Sequence, residues 1–184
     1  MEQTIGKPGL LNQVLKYGII IAMVNIIITL LIYVVDVTIM VKWWFGILIL
    51  LVNLVLIFYA GFDWRKQNGG YLKFKDAFIF IFLVFVCSGI ISVLFNIFLN
   101  TVIDPNLANT LTEASIEENT AIMERFGLAD DQVDEAMENL RAGLSEQFSV
   151  TGILKGFLYS LIFYVIAALI VGAIIKKSRP EFEG

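Results

Sequence analysis

Four long apolar runs, each free of Asp, Glu, Lys, Arg and His, alternate with short charged segments along the 184-residue chain. The first is Tyr17 to Val35, between Lys16 and Asp36, with Asn25 and Thr29 as its only strongly polar members. The second, Trp43 to Phe62, lies between Lys42 and Asp63 and is interrupted by Gly46, Asn53 and Gly61. Ala77 to Ile103 is the third, and Gly156 to Ile175, between Lys155 and the pair Lys176 and Lys177, is the fourth. About twenty residues at 1.5 Å each cross a hydrocarbon core of about 30 Å, so each run predicts a membrane-spanning helix. The third, at about 40 Å, predicts tilt or protrusion. Barrel strands would alternate apolar and polar residues over about ten positions, and these runs do not. The first run ends in Val34, Val35 and Asp36 with no small-residue cleavage site, so it is expected to stay as an anchor. The pattern predicts an all-α integral membrane bundle of four transmembrane helices. It forms a single domain over 1–184, with spans 17–35, 43–62, 77–103 and 156–175 and an insert at 104–149.

Composition strengthens this reading: 58% of residues are hydrophobic and 16% charged, and the mean hydropathy is +0.82, which excludes a water-soluble fold. Histidine is absent and Cys87 is the single cysteine, which removes imidazole bases, His or Cys-rich metal sites and an intrachain disulfide. Trp43, Trp44 and Trp64 flank the second run and are expected at the two headgroup levels. Lys7, Lys16, Arg65, Lys66, Lys73, Lys75, Lys176, Lys177 and Arg179 fall on one side of a four-span topology, against Lys42, Arg125, Arg141 and Lys155 on the other. Basic residues near span ends resist translocation, so both termini are expected in the cytoplasm. The short connection Asp36 to Lys42 predicts that the first two spans pack antiparallel.

Asp104 to Ser149 holds eleven of the seventeen acidic residues against Arg125 and Arg141. Asp104-Pro105 fits a helix N-cap and first position. An apolar face of Leu107, Leu111, Ala114, Ile122, Met123 and Phe126 follows, and Gly127 suits a helix stop. Asp130 or Asp131 can cap a second helix, whose stripe is Val133, Ala136, Met137, Leu140 and Leu144. The segment is therefore expected to be a short acidic extracytoplasmic helical hairpin, solvated or docked on a partner. Asp130, Asp131, Asp134 and Glu135 bring carboxylates together but lack the glycine and oxygen spacing of an EF-hand loop, so no metal site is assigned.

With no ionisable residue inside the spans, charge-coupled transport is disfavoured. Ser88, Ser92, Asn96 and Asn100 recur every four residues as a slanting polar ridge beside Gly89, suited to interhelical hydrogen bonds with Asn25, Thr29 and Asn53, or to a hydrated groove. Gly152 with Gly156, and Ala168 with Gly172, have the spacing of small residues at helix contacts. Tyr159 and Tyr164 could each turn a hydroxyl inward, and Cys87 reads as an inert small hydrophobe. The loop Asp63 to Asp76 places Arg65, Lys66, Lys73 and Lys75 among Tyr71, Phe74 and the pair Gly69-Gly70. It is expected to touch anionic lipid head groups at the cytoplasmic face, as are Lys176, Lys177 and Arg179, with Pro180 ending the last helix. No nucleic-acid module is visible.

Gly70-Tyr71-Leu72-Lys73-Phe74-Lys75-Asp76-Ala77-Phe78, the run from Gly89 to Pro105 with Asn96 and Asn100, and Gly172-Ala173-Ile174-Ile175-Lys176-Lys177-Ser178-Arg179-Pro180-Glu181 resemble a bacterial membrane family catalogued as domain of unknown function 4199. The resemblance covers nearly the whole chain. It implies a multi-pass protein of the bacterial inner membrane with an acidic helical insert before the last span. It brings no catalytic residues or cofactor, and it points to an envelope partner such as a membrane glycosyltransferase. The expected function is a non-enzymatic scaffold or accessory subunit. The alternative is a small transporter or lipid-handling protein using the span-three ridge. An enzyme would have to draw on Asp63, Arg65, Lys66, Lys73, Lys75 and Asp76, the one dense mixed cluster, which specifies no reaction.

Overall fold

The computed structural model describes residues 9–178; Lys7, Arg179 and Pro180, used above for orientation and for the end of the last helix, lie outside them. The α-helices are α1 (Leu10–Val35), α2 (Trp43–Gln67), α3 (Phe74–Phe98), α4 (Leu107–Arg125), α5 (Asp130–Phe148) and α6 (Val150–Ile175). A 3₁₀ turn (Val37–Val41) follows α1, and a π-helical turn (Leu99–Ile103) ends α3. Helices α1, α2, α3 with its π turn, and α6 are each long and apolar enough to cross a membrane. All four outrun the uncharged stretches that predict them. Lys16, Arg65, Lys66 and Lys155 continue the helices because lysine and arginine are good helix formers whose long stems keep the charge at the water level.

Among the described residues, 9–24, Leu51–Ile91 and 159–178 form one compact unit. Its core includes Phe80, Ile21, Ile57, Ile81, Val84, Val171 and Ile175, all fully buried, as are Ala60, Ala77 and Ala168, small residues that permit close approaches. Glycine makes two of those approaches: a Cβ at Gly18 would stand 2.7 Å from Cys87 Cβ, and one at Gly172 would stand 3.2 Å from Phe78 N. The Ala168 and Gly172 pair therefore packs as its spacing predicts. Trp64 departs from expectation. It is only 7% exposed and stacks on Phe80 at 5.2 Å, so it is a core ring, whereas Trp43 and Trp44 are exposed. A Trp at the end of an apolar run can turn either way, and the flat face of Phe80 decides it. Tyr164 stacks on Phe85 at 5.2 Å, but Tyr159 is exposed rather than directed inward.

The second unit comprises Asn25–Leu50 and Ser92–Leu158. Leu99, Leu107 and Leu111 form its buried centre, against Tyr33, Val37, Met40, Val41, Phe95 and Phe148. The Asp104 carboxylate accepts from Asn106 N–H (3.0 Å) and from the Tyr33 hydroxyl (3.2 Å). Asp104 is nevertheless not the N-cap and Pro105 not the first helical residue: a tight turn follows, Leu107 N–H reaching Asp104 O, so Asn106 holds the cap position and α4 starts at Leu107. Helix α4 closes on a Schellman motif: Gly127 adopts φ +79°, Gly127 N–H donates to Glu124 O and Leu128 N–H to Met123 O. Phe126, the last right-handed residue before that turn, does not join the apolar face and is 81% exposed.

Neither Asp130 nor Asp131 caps α5. Ala129 holds that position and Gln132 Oε1 accepts its N–H, while both aspartates sit in the first turn, where the helix N-terminus favours negative charge. Val133 and Met137 are buried, Ala136 and Leu144 half-buried, and Leu140 exposed. The corner into α6 is made by Ser149, whose hydroxyl accepts from Gly152 N–H at 3.1 Å. A Cβ at Gly152 would meet Glu146 O at 2.0 Å, whereas nothing lies within 4 Å of one at Gly156. Gly152 thus serves the corner and not a paired helix surface.

Asp36 accepts from Thr38 Oγ1 (2.8 Å) and Thr38 N–H (2.9 Å), which hold its carboxyl below the ordinary range. Lys155, 2.5 Å from Glu146, does the same at the corner. A carboxyl with a depressed folded pKa adds stability above its ordinary pKa and loses it as pH falls through the folded value. Acidification below about pH 4 is therefore expected to loosen the 3₁₀ turn. Amide exchange at Thr38, corrected for its intrinsic pH dependence, should accelerate there, and Asp36→Ala should remove the effect; a rate that ignores acid in the parent chain would contradict the assignment.

Candidate functional site

Three sets of polar residues are candidates for function. The first is the acidic surface of α4 and α5, which pack on one another; Leu111, Ala114, Val133 and Met137 are their buried apolar residues besides Leu107. Arg141 grips Glu113 with two nitrogens at 2.7 and 3.3 Å, and Lys42 reaches Glu118 at 2.6 Å, which raises the lysine pKa chiefly through that hydrogen bond. Among the described residues, Glu124, Asp130, Asp131, Asp134, Glu135 and Glu138 are exposed and have no ion pair. No group of three Asp, Glu, His or Cys side chains among the described residues is arranged to hold a metal ion.

The second is the basic loop, to which the structure adds Lys176 and Lys177 after α6. Arg65 and Lys66 occupy the last turn of α2. Gly69 and Gly70, at φ +76° and +84°, then reverse the chain, with Gly70 N–H donating to Arg65 O. Leu72 and Lys177 exchange backbone hydrogen bonds, both 2.9 Å, and the Arg65 guanidinium donates to Ile175 O at 3.1 Å, satisfying a terminal carbonyl of α6. Lys177 Nζ lies 5.6 Å from the Tyr71 ring and Lys176 Nζ 6.0 Å from Phe74. Lys66, Lys73, Lys75, Lys176 and Lys177 are all exposed, and the Leu72 pairing and the two ring contacts bring Lys176 and Lys177 beside the segment that carries Lys73 and Lys75. Arg65 is set apart by its hydrogen bond to Ile175 O.

Asp63, the first member of the mixed cluster, has partners of its own. The Asp63 carboxylate accepts from the Tyr17 hydroxyl and the Gln67 amide, with Lys16 Nζ 3.4 Å from the Tyr17 oxygen. It fastens α1 to α2. Gln67, one helical turn beyond Asp63, is legible in the sequence; nothing in the sequence singles out Tyr17.

The third set is the ridge of α3. Ser88 Oγ donates to Phe85 O (3.0 Å), Asn96 Nδ2 to Ser92 O (2.8 Å) and Asn100 Nδ2 to Asn96 O (2.9 Å), so these donors turn back on their own helix. Ser88 is buried and Ser92, Asn96 and Asn100 are half-buried, with Asn100 Oδ1 buried and unpartnered. Thr101 Oγ1 takes Ile97 O in the same way. Backbone carbonyls accept from side chains just where the helix widens to its π turn, the usual company of such a bulge.

Six helices and no strand among the described residues, four of the helices with the length and apolarity of membrane spans, make this a multi-pass α-helical membrane protein. A family model described as protein of unknown function (DUF4199) matches residues 16–177, and the chain belongs to that family. No curated protein and no solved structure matches it.

Proposed function

We propose that the protein is a non-enzymatic scaffold or accessory subunit of the bacterial inner membrane, with both termini in the cytoplasm and the α4–α5 pair outside. The pair presents its acidic surface to a basic region of another envelope protein. The observation that supports this is how α4 and α5 divide their residues. Leu107 and Leu111 of α4 are buried against Tyr33, Val37 and Met40, and Val133 and Met137 of α5 are buried, while Glu124, Asp130, Asp131, Asp134, Glu135 and Glu138 stay exposed and form no ion pair among the described residues. Such a surface raises the encounter rate with a basic partner and does so less in high salt.

Crosslinking from both sides of the membrane followed by purification tests the reading. A defined envelope protein should be recovered with the parent chain, and recovery should fall at least tenfold with Asp131→Lys, Asp134→Lys and Glu138→Lys together. Recovery of abundant proteins alone, in the same amounts from both chains, would contradict it.

A further inference from the structure

The loop and the segment after α6 are rich in exposed positive charge. Lys66, Lys73, Lys75, Lys176 and Lys177 are exposed, and none forms an ion pair with a described carboxylate. The Asp63 carboxylate, which accepts from Tyr17 and Gln67, also faces the charges of Lys16 and Lys66, which leaves Lys73, Lys75, Lys176 and Lys177 for a ligand. Next to this surface lies a cleft of about 180 Å³, bounded by Leu10, Trp64, Asn68, Leu72, Asp76 and Ile79. Leu72 belongs to both features, as a wall of the cleft and as the residue paired with Lys177. Trp64, another wall, keeps its indole N–H without an acceptor although the ring is buried. A buried donor left unmade is costly, and an incoming oxygen would satisfy it.

We infer that this end of the protein is a binding site for one anionic glycerophospholipid. The lysines take the phosphate, Leu10, Leu72 and Ile79 take the start of the acyl chains, and an ester carbonyl accepts from Trp64 Nε1. The Asp76 carboxylate repels phosphate from the cleft itself, so the ester region is what enters. Free phosphate would satisfy the lysines but would leave the apolar wall and the indole unused. The inference uses no residue of α4 or α5, so it stands or falls apart from the proposed partner.

The test uses the full chain in neutral detergent with Trp43→Phe and Trp44→Phe, leaving Trp64 as the sole indole. Added phosphatidylglycerol should shift its emission saturably, and Lys73→Gln, Lys75→Gln and Lys177→Gln together should raise the half-saturating concentration at least tenfold, since each lysine near an anionic head group contributes roughly fivefold. Phosphatidylcholine should need at least tenfold more lipid, and inorganic phosphate should neither shift the emission nor displace the lipid. Trp64→Phe, which keeps a ring on Phe80, should lose retained phosphatidylglycerol in native mass spectra while its melting temperature stays close to the parent's. Equal responses to the two lipids, indifference to the lysine changes, displacement by inorganic phosphate, or undiminished lipid retention in Trp64→Phe would overturn the site.

Discussion

Gly152→Ala breaks the passage from α5 into α6. The added methyl carbon would stand 2.0 Å from Glu146 O and 2.6 Å from Gln147 O, both backbone atoms that a rotamer change cannot move. Alanine at a helical position gains about 1 kcal/mol over glycine. Forcing the corner open costs about 3 kcal/mol or more, so the clash decides the sign. Thermal melting in detergent should show a large loss for Gly152→Ala. Gly156→Ala, four residues on with nothing within 4 Å, should be neutral or slightly stabilising. Equal melting of the two variants would sink this account of the corner.

Gly18→Ala should be nearly as damaging, for a reason that can be undone. The methyl would meet Cys87 Sγ at 2.6 Å and Cys87 Cβ at 2.7 Å. The thiol can rotate away, but Cβ cannot. In lipid the water-transfer part of packing energy is largely missing, so close van der Waals fit carries the helix contact and an overlap of this depth is expected to cost about 2 kcal/mol. Adding Cys87→Gly removes the obstructing carbon and should restore most of the loss in the double variant. A double variant no more stable than Gly18→Ala would show that α1 and α3 do not meet at this point.

The spans were legible because lipid leaves the backbone few choices. An uncharged run of twenty residues must bond to itself, and Tyr17–Val35, Trp43–Phe62, Ala77–Ile103 and Gly156–Ile175 all lie within helices. The stop at Gly127 was equally readable, since a left-handed helix end is a local event, whereas the start read at Asp104-Pro105 falls in a turn that comes before the helix. What else escaped was decided by neighbours distant in sequence. Trp64 looks like an interface ring until Phe80 is placed beneath it. Gly152 has the spacing of a helix contact until the chain before it folds back within reach. Lys176 and Lys177 read as a second basic patch, and only the pairing of Leu72 with Lys177 makes them part of the first. The Tyr17 and Asp63 bond is of the same kind: its aspartate marks the end of an apolar run, but its tyrosine is one of six in the chain.

The central claim is that the chain crosses a bilayer with its acidic helices outside and its basic loop inside. Cys87 is the single cysteine, so Cys87→Ala gives a background in which Asp131→Cys and Lys73→Cys can each be labelled alone. In spheroplasts treated with a membrane-impermeant maleimide, the account predicts labelling at 131 in intact cells and labelling at 73 only after permeabilisation. Labelling of both positions in intact cells, or of 73 alone, would contradict it.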